Sequence, residues 1–161
     1  MNSAYHAALV VTRTALEALD EVLVELPDAA LGWVPSEGLN SVSVLVRHSL
    51  TATAFLAATG AGLAPDRDAY LNQDRTSAFA TKKSTVVALR SDIQRLLDDI
   101  GPILGRGTEA TLEQPATWPW PDGRTPNCGE VLVHSVGHLK EHVGQVQLMR
   151  DLWNASRPST A

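Results

Sequence analysis

The chain has 161 residues, 44% of them hydrophobic, and a formal net charge of −5, which gives one domain's length of chain and enough apolar side chains for one sizeable core. Its basic residues are scattered, without the Lys/Arg clusters or interleaved aromatics that track a phosphate backbone, so no nucleic-acid partner is expected. The lone cysteine, Cys128, cannot form an internal disulfide. No uninterrupted apolar run approaches the roughly 18 residues that span a bilayer, and the N-terminus lacks the basic and apolar regions of a signal peptide, so the expectation is a cytoplasmic protein with no membrane partner.

Residues 3 to 26 place Tyr5, Leu9, Leu16, Leu19, Val22, Leu23 and Leu26 at helical steps, with Thr12 in the same series. That spacing predicts a helix with one buried face, ended by Pro27. Residues 28 to 40, DAALGWVPSEGLN, are rich in turn formers; Ser41 then caps a second helix that runs to about Thr59, before GAGLAPDRD breaks it. Residues 60 to 80 read as loop, with Tyr70, Leu71 and Phe79 tucked onto the bundle. A third helix begins at Thr81 or Ser84, is built on Val87, Leu89, Ile93, Leu96, Leu97 and Ile100, and stops at Gly101 and Pro102.

Residues 103 to 126 include WPWPDG, where each proline restrains its predecessor and lacks an N–H, and read as a long ordered loop or short hairpin. Asn127, three residues before Glu130, has capping-box spacing and opens a fourth helix to about Trp153, with NASRPSTA as a frayed tail. Four amphipathic helices without strand periodicity predict an all-α four-helix bundle with long connections after the second and third helices. The expected organisation is a single domain over residues 1–155 and a flexible tail over 156–161; the order of neighbouring helices stays open.

Three of the five histidines, His134, His138 and His142, lie four residues apart on the fourth helix. Positions four apart differ by about 40° and about 6 Å in rise, so two neighbours can meet one ion, whereas positions eight apart rise about 12 Å and cannot. The stripe formed by Val131, Ser135, Leu139, Val146, Met149 and Trp153 has His142 near its centre and His138 at its shoulder, with His134 further round beside Glu141 and Leu148. The inward pair is therefore His138 and His142. His48 falls in the middle of the second helix's stripe of Leu45, Ala52, Phe55 and Leu56.

Imidazoles buried in an apolar core lose hydration, and one divalent cation would satisfy all three while leaving a coordination position for water or substrate. Pattern alone leaves open the alternative that these histidines are packed or solvated without a metal. Zn2+ or Ni2+ suits neutral imidazoles better than Mg2+ or Ca2+, and such an ion acidifies a bound water or thiol, which provides metal-bound hydroxide or thiolate chemistry. HExxH is absent, as are the E-x-x-H spacings of di-iron bundles.

Gln145 and His134, one turn beyond His142 and one before His138, are candidates to orient a ligand or hold substrate; the alternative is a packing glutamine and a solvated histidine. Trp33, Trp118 and Trp120 sit in connections, where they either cover a pocket or close the ends of the core. Cys128 reads as a structural cysteine more readily than as a thiol activated at a helix N-terminus. Arg47 and Arg150 could anchor an anion, though arginine beside a helical face is normally solvated; His6 is given no role.

Two segments, GWVPSEGLNSVSVLVRHSL at 32 to 50 and GEVLVHSVGHLKEHVGQVQLMRDLW at 129 to 153, resemble the signature segments of the DinB/YfiT-like superfamily. Its metal-binding members are four-helix bundles with one histidine on the second helix and H-x3-H followed by x-G-Q on the last. The resemblance implies His48, His138 and His142 as ligands of one divalent ion, and a homodimer. It also implies a small-molecule substrate or thiol partner, since the family includes thiol S-transferases and isomerases that use mycothiol, bacillithiol or glutathione. The alternative it leaves is a non-catalytic, stress-related metal-binding bundle, because fold and ligands do not fix a substrate.

Overall fold

The computed structural model describes residues 1–81, 84–117 and 123–157. In chain order its helices are α1 (Ser3–Val24), α2 (Val42–Gly60), α3 (Arg67–Ala69), α4 (Arg75–Phe79), α5 (Val86–Leu104), α6 (Glu109–Leu112) and α7 (Cys128–Ala155). The long helices α1, α2, α5 and α7 form a four-helix core, and the short ones lie in the connections. Side-chain caps fix where the long helices begin, each accepting a hydrogen bond from a first-turn N–H that has no partner within the helix. Asn2 caps α1, Ser41 caps α2 and Thr85 caps α5. At α7 the Asn127 carboxamide accepts from the Glu130 N–H and the Glu130 carboxylate accepts from the Asn127 N–H, both at 2.8 Å.

Helix α2 packs on α7 and α5, and α1 packs on the same two helices, so α1 and α2 stand diagonally across the bundle. The long helices joined by residues 25–41 (α1 and α2) and by residues 105–127 (α5 and α7) are thus diagonal partners rather than packed neighbours. Burial continues past the end of α1 to Leu26, Ala30 and Leu31. Trp33 meets Trp153 edge to face at 5.6 Å, and both pack against the core, so Trp33 closes a core end.

The single buried stripe expected on α2 is too narrow: Val42, Val44, Leu45, Val46, Ser49, Leu50 and most later residues of the helix are buried as well. Helix α2 is long and apolar enough to cross a bilayer, and 78% of that stretch is enclosed by the other helices. Part of its cover is the region read as loop. Residues 67–79 are helical, with a π-helical stretch (Tyr70–Asp74) between α3 and α4. Asp66 caps this segment, Tyr70 stacks on Phe55 at 4.3 Å between centroids, and Ala78 is buried. A segment this short shows too few apolar repeats to register as a helix in sequence.

Three further boundaries differ from expectation. Helix α5 starts after Thr85 and runs through Pro102 to Leu104; Gly101 has no Cβ for the proline ring to crowd, and the bond to the Asp98 carbonyl that Pro102 forfeits lies in the last turn, where the helix ends anyway. Val87 is 79% exposed, being well off the line of Leu89, Ile93, Leu96 and Ile100. The 103–126 connection carries α6 and an isolated bridge between Pro115 and Asn127; Trp118 and Trp120 lie outside the described residues. Helix α7 continues through Asn154 to Ala155, two residues into the expected tail, whose last four residues also lie outside the description.

Candidate metal centre

The close packing of α2 on α7 carries the site. His48 lies near the middle of α2 and faces the turns of α7 that hold His138 and His142. The His48 ring centroid lies 5.1 Å from that of His138 and 5.0 Å from that of His142, and those two are 4.4 Å apart. One nitrogen from each of the three rings lies within 4.8 Å of the others. The Nε2 atoms of His138 and His142 face each other at 3.2 Å. Two nitrogens bound tetrahedrally at the usual zinc distance would be about 3.3 Å apart, so this spacing already suits a shared ion.

Hydrogen bonding sets the state of one ring. The Gln145 Nε2 donates to Glu141 Oε1 at 3.4 Å, which turns the Gln145 carbonyl oxygen toward His142 Nδ1 at 2.7 Å. His142 Nδ1 must then be the donor, which leaves Nε2 as the nitrogen whose lone pair is available toward His138. His48 Nδ1 and His138 Nδ1 are buried without a hydrogen-bond partner, which is costly for polar nitrogens unless something else satisfies the ring. Nitrogen donors only, two rings with unspent polar capacity and a preset lone pair make a cluster capable of holding a divalent metal.

Electrostatics keep two of the three rings neutral. Burial, then the nearby charges of His142 and Arg75, push His48 from its ordinary 6.5 to about 4. Burial, then His142, His48 and His134, push His138 to about 4. Both rings are therefore unprotonated at neutral pH, as metal ligands must be. Unfolding returns both to 6.5, so between pH 6.5 and about 4 the unfolded chain binds protons that the folded chain refuses. Metal-free protein is thus expected to hold its full stability above pH 6.5, to lose it progressively as pH falls toward 4, and to gain no further penalty from these rings below that. Urea midpoints in chelator at pH 7.5 and pH 4.5 test this: a drop that is smaller in the His48→Ala, His138→Ala double variant is expected, and identical drops in both proteins would refute it.

The other candidates separate cleanly. His134 is exposed, with its ring 6.0 Å from that of His138, and is not one of the three clustered histidines. Gln145 is in contact with His142. Arg47 bridges to Asp92 at 3.5 Å, and Arg150 bridges to Glu25 at 2.8 Å and Asp151 at 2.9 Å, so both are engaged within the chain. Cys128 is buried, and burial pushes its thiol up despite a hydrogen bond with the Gly62 backbone, which opposes activation. Two neighbours were not read as part of the site: Phe79, expected only to pack on the bundle, whose ring lies 4.8 Å from that of His48, and Glu141. Only the spacing of Glu141 to Gln145, one helical turn, was available in sequence to find the second.

Fold and site together define a four-helix bundle with a three-histidine cluster between two of its helices, capable of coordinating a divalent metal. The chain belongs to the DinB superfamily, whose family model matches residues 11–146. Among solved structures it is similar to a conserved protein from Enterococcus faecalis, at 16% identity with a TM-score of 0.74, over 97% of this chain and 99% of that one. It is also similar to a mycothiol-dependent maleylpyruvate isomerase, at 15% identity with a TM-score of 0.63, and to a histidine-to-alanine variant of that enzyme at 14%. That match covers 91% of this chain, which spans 63% of the isomerase's length. At these identities the likeness is one of fold. No curated protein matches the chain.

Proposed function

We propose that the protein binds one divalent ion, zinc or nickel, through His48, His138 and His142, and is a metal-dependent enzyme that uses a small thiol to attack an electrophilic small molecule. The observation that carries this reading is the convergence of three imidazole nitrogens within 4.8 Å, two of them on rings with an orphaned buried nitrogen. Such an ion supplies Lewis acidity, lowering the pKa of a thiol or water brought to it.

The chain's own residues do the rest. Burial keeps His48 and His138 unprotonated, Gln145 holds His142 in the tautomer whose Nε2 is a donor of electrons, and Phe79 covers the His48 ring. Three protein ligands leave a tetrahedral ion one position for an exchangeable ligand, the arrangement typical of catalytic rather than structural sites. Similarity in fold to a protein whose name records dependence on mycothiol supports the thiol half of the reading.

The test is elemental analysis of protein equilibrated with Zn2+ or Ni2+ and desalted, followed by turnover of 1-chloro-2,4-dinitrobenzene with mycothiol, bacillithiol or glutathione. About one ion per chain and metal-dependent thiol consumption are expected. One ion without thiol binding or turnover would remove the transferase and leave a metal-binding bundle; no ion would remove both.

A further inference from the structure

Besides covering α2, the helical segment 67–79 brings a cation to the histidines. Phe79 is 39% exposed, an unusual setting for a phenylalanine, and its ring rests on His48 rather than in the core. One turn earlier on α4, the Arg75 guanidinium carbon stands over the Phe79 ring, 4.9 Å from its centroid. Arg47, Arg90, Arg95, Arg124 and Arg150 each bridge to a carboxylate. Arg75 has no carboxylate within ion-pair reach among the described residues, and an aromatic ring holds it instead.

Stacking engages the face of a guanidinium and leaves its N–H edge free to donate. The stack also restrains a long side chain that would otherwise lose entropy on binding a ligand. Arg75 lies close enough to His48 for its charge to help keep that ring neutral. An unneutralised cation beside a site suited to a second cation is electrostatically unfavourable by itself, because like charges repel in a partly desolvated setting. An anion that meets both charges turns that repulsion into two attractions. The forked edge of a guanidinium matches the two oxygens of a carboxylate.

We propose that Arg75, steadied by Phe79, anchors a carboxylate of the small molecule taken at the histidine cluster, so that the preferred ligand is an organic anion with its donor end at the histidines. This rests on the metal reading above and adds the class of ligand to it.

The test titrates 6-mercaptohexanoate and its neutral twin, 6-mercapto-1-hexanol, into nickel-loaded protein, following the thiolate-to-nickel charge-transfer band. Wild type is expected to bind the carboxylate about tenfold more tightly, the size of one charge-assisted hydrogen-bonded pair. Arg75→Gln should erase that preference while keeping the metal content and the affinity for the alcohol, and Arg75→Lys should keep part of it. Equal affinities in wild type, or a preference that survives in Arg75→Gln, would overturn the proposal. A protein that takes up no nickel shows no band, which defeats the metal reading separately. The anchor is then judged on metal-free protein by the NMR signal of the Arg75 Nε–H: a shift with the carboxylate and none with the alcohol upholds it, and no shift with either overturns it.

Discussion

His48→Ala is expected to weaken binding of the divalent ion by on the order of 10²- to 10³-fold, whereas His134→Ala leaves it unchanged. The size follows from sharing. A four-ligand zinc site is worth about 10–16 kcal/mol, so each ligand carries about 3–4 kcal/mol, and each 1.4 kcal/mol is tenfold. Position along the chain does not predict this contrast. In sequence His134 is as near to His138 as His142 is, but it lies outside the cluster, while His48 is 90 residues from His138 and 5.1 Å from it between ring centroids.

The substitution is informative because it should not cost the fold. Alanine is the best helix former and His48 is in mid-helix, so α2 loses nothing locally. The imidazole removed carries a buried Nδ1 with no partner, and no protein group is left unsatisfied by its loss. Metal-free wild type and variant should therefore unfold at similar urea concentrations. With free ion at a hundred times its dissociation constant, wild type gains about 2.7 kcal/mol and the variant gains almost nothing. A variant stabilised as much as wild type would remove His48 from the site.

What the sequence could disclose depended on the range of the interaction. Ser41, the Asn127–Glu130 pair and Pro27 were legible because a cap or a breaker acts within one helical turn. The inward pairing of His138 with His142 was legible for the same reason, since helical geometry fixes which neighbours share a face. The convergence of His48 on that pair was foreseeable only as two inward faces, because which helices pack side by side is a tertiary matter, and the α1–α2 diagonal has no local signature. Gln145 had the right spacing, but the direction of its amide depends on Glu141. Phe79 was legible only as a side chain packed on the bundle, and its contact with His48 and the place of Arg75 were out of reach: their segment is amphipathic over too few turns, and its helix is held by Tyr70 against Phe55 and Ala78 against the bundle. Proline at position 102 marked the end of α5 only approximately, because Gly101 before it has no Cβ to crowd and the forfeited bond to the Asp98 carbonyl falls in the last turn, so the helix runs on to Leu104.

Gly60→Ala is expected to destabilise the protein by on the order of 2–4 kcal/mol, although alanine favours a helix over glycine by about 1 kcal/mol. In sequence, Gly60 and Gly62 look alike, two glycines at the end of an apolar run. Their roles differ: Gly62 has φ 76°, the left-handed backbone that lets the chain leave the helix, whereas Gly60 belongs to α2 and is small because of what faces it. A Cβ there would lie 2.9 Å from both the Cα and the N of Leu132. Those are backbone atoms of α7, so no side chain can swing aside and the two helices must separate. The Gly60 carbonyl accepts a hydrogen bond from the Tyr5 hydroxyl at 2.8 Å, a buried bond that ties α1 to the junction and would be strained by the movement. Gly137 is the control, because a Cβ on it meets nothing within 4 Å and Gly137→Ala should stabilise by roughly 0.5–1 kcal/mol. Urea unfolding of metal-free protein reads both signs in one experiment. Since α2 and α7 also carry the three histidines, Gly60→Ala should weaken ion binding as well as the fold, while Gly137→Ala should not. A Gly60→Ala protein as stable as wild type would mean that the packing of α2 on α7 is loose enough to absorb a methyl group, too loose to hold three imidazoles in register for a metal.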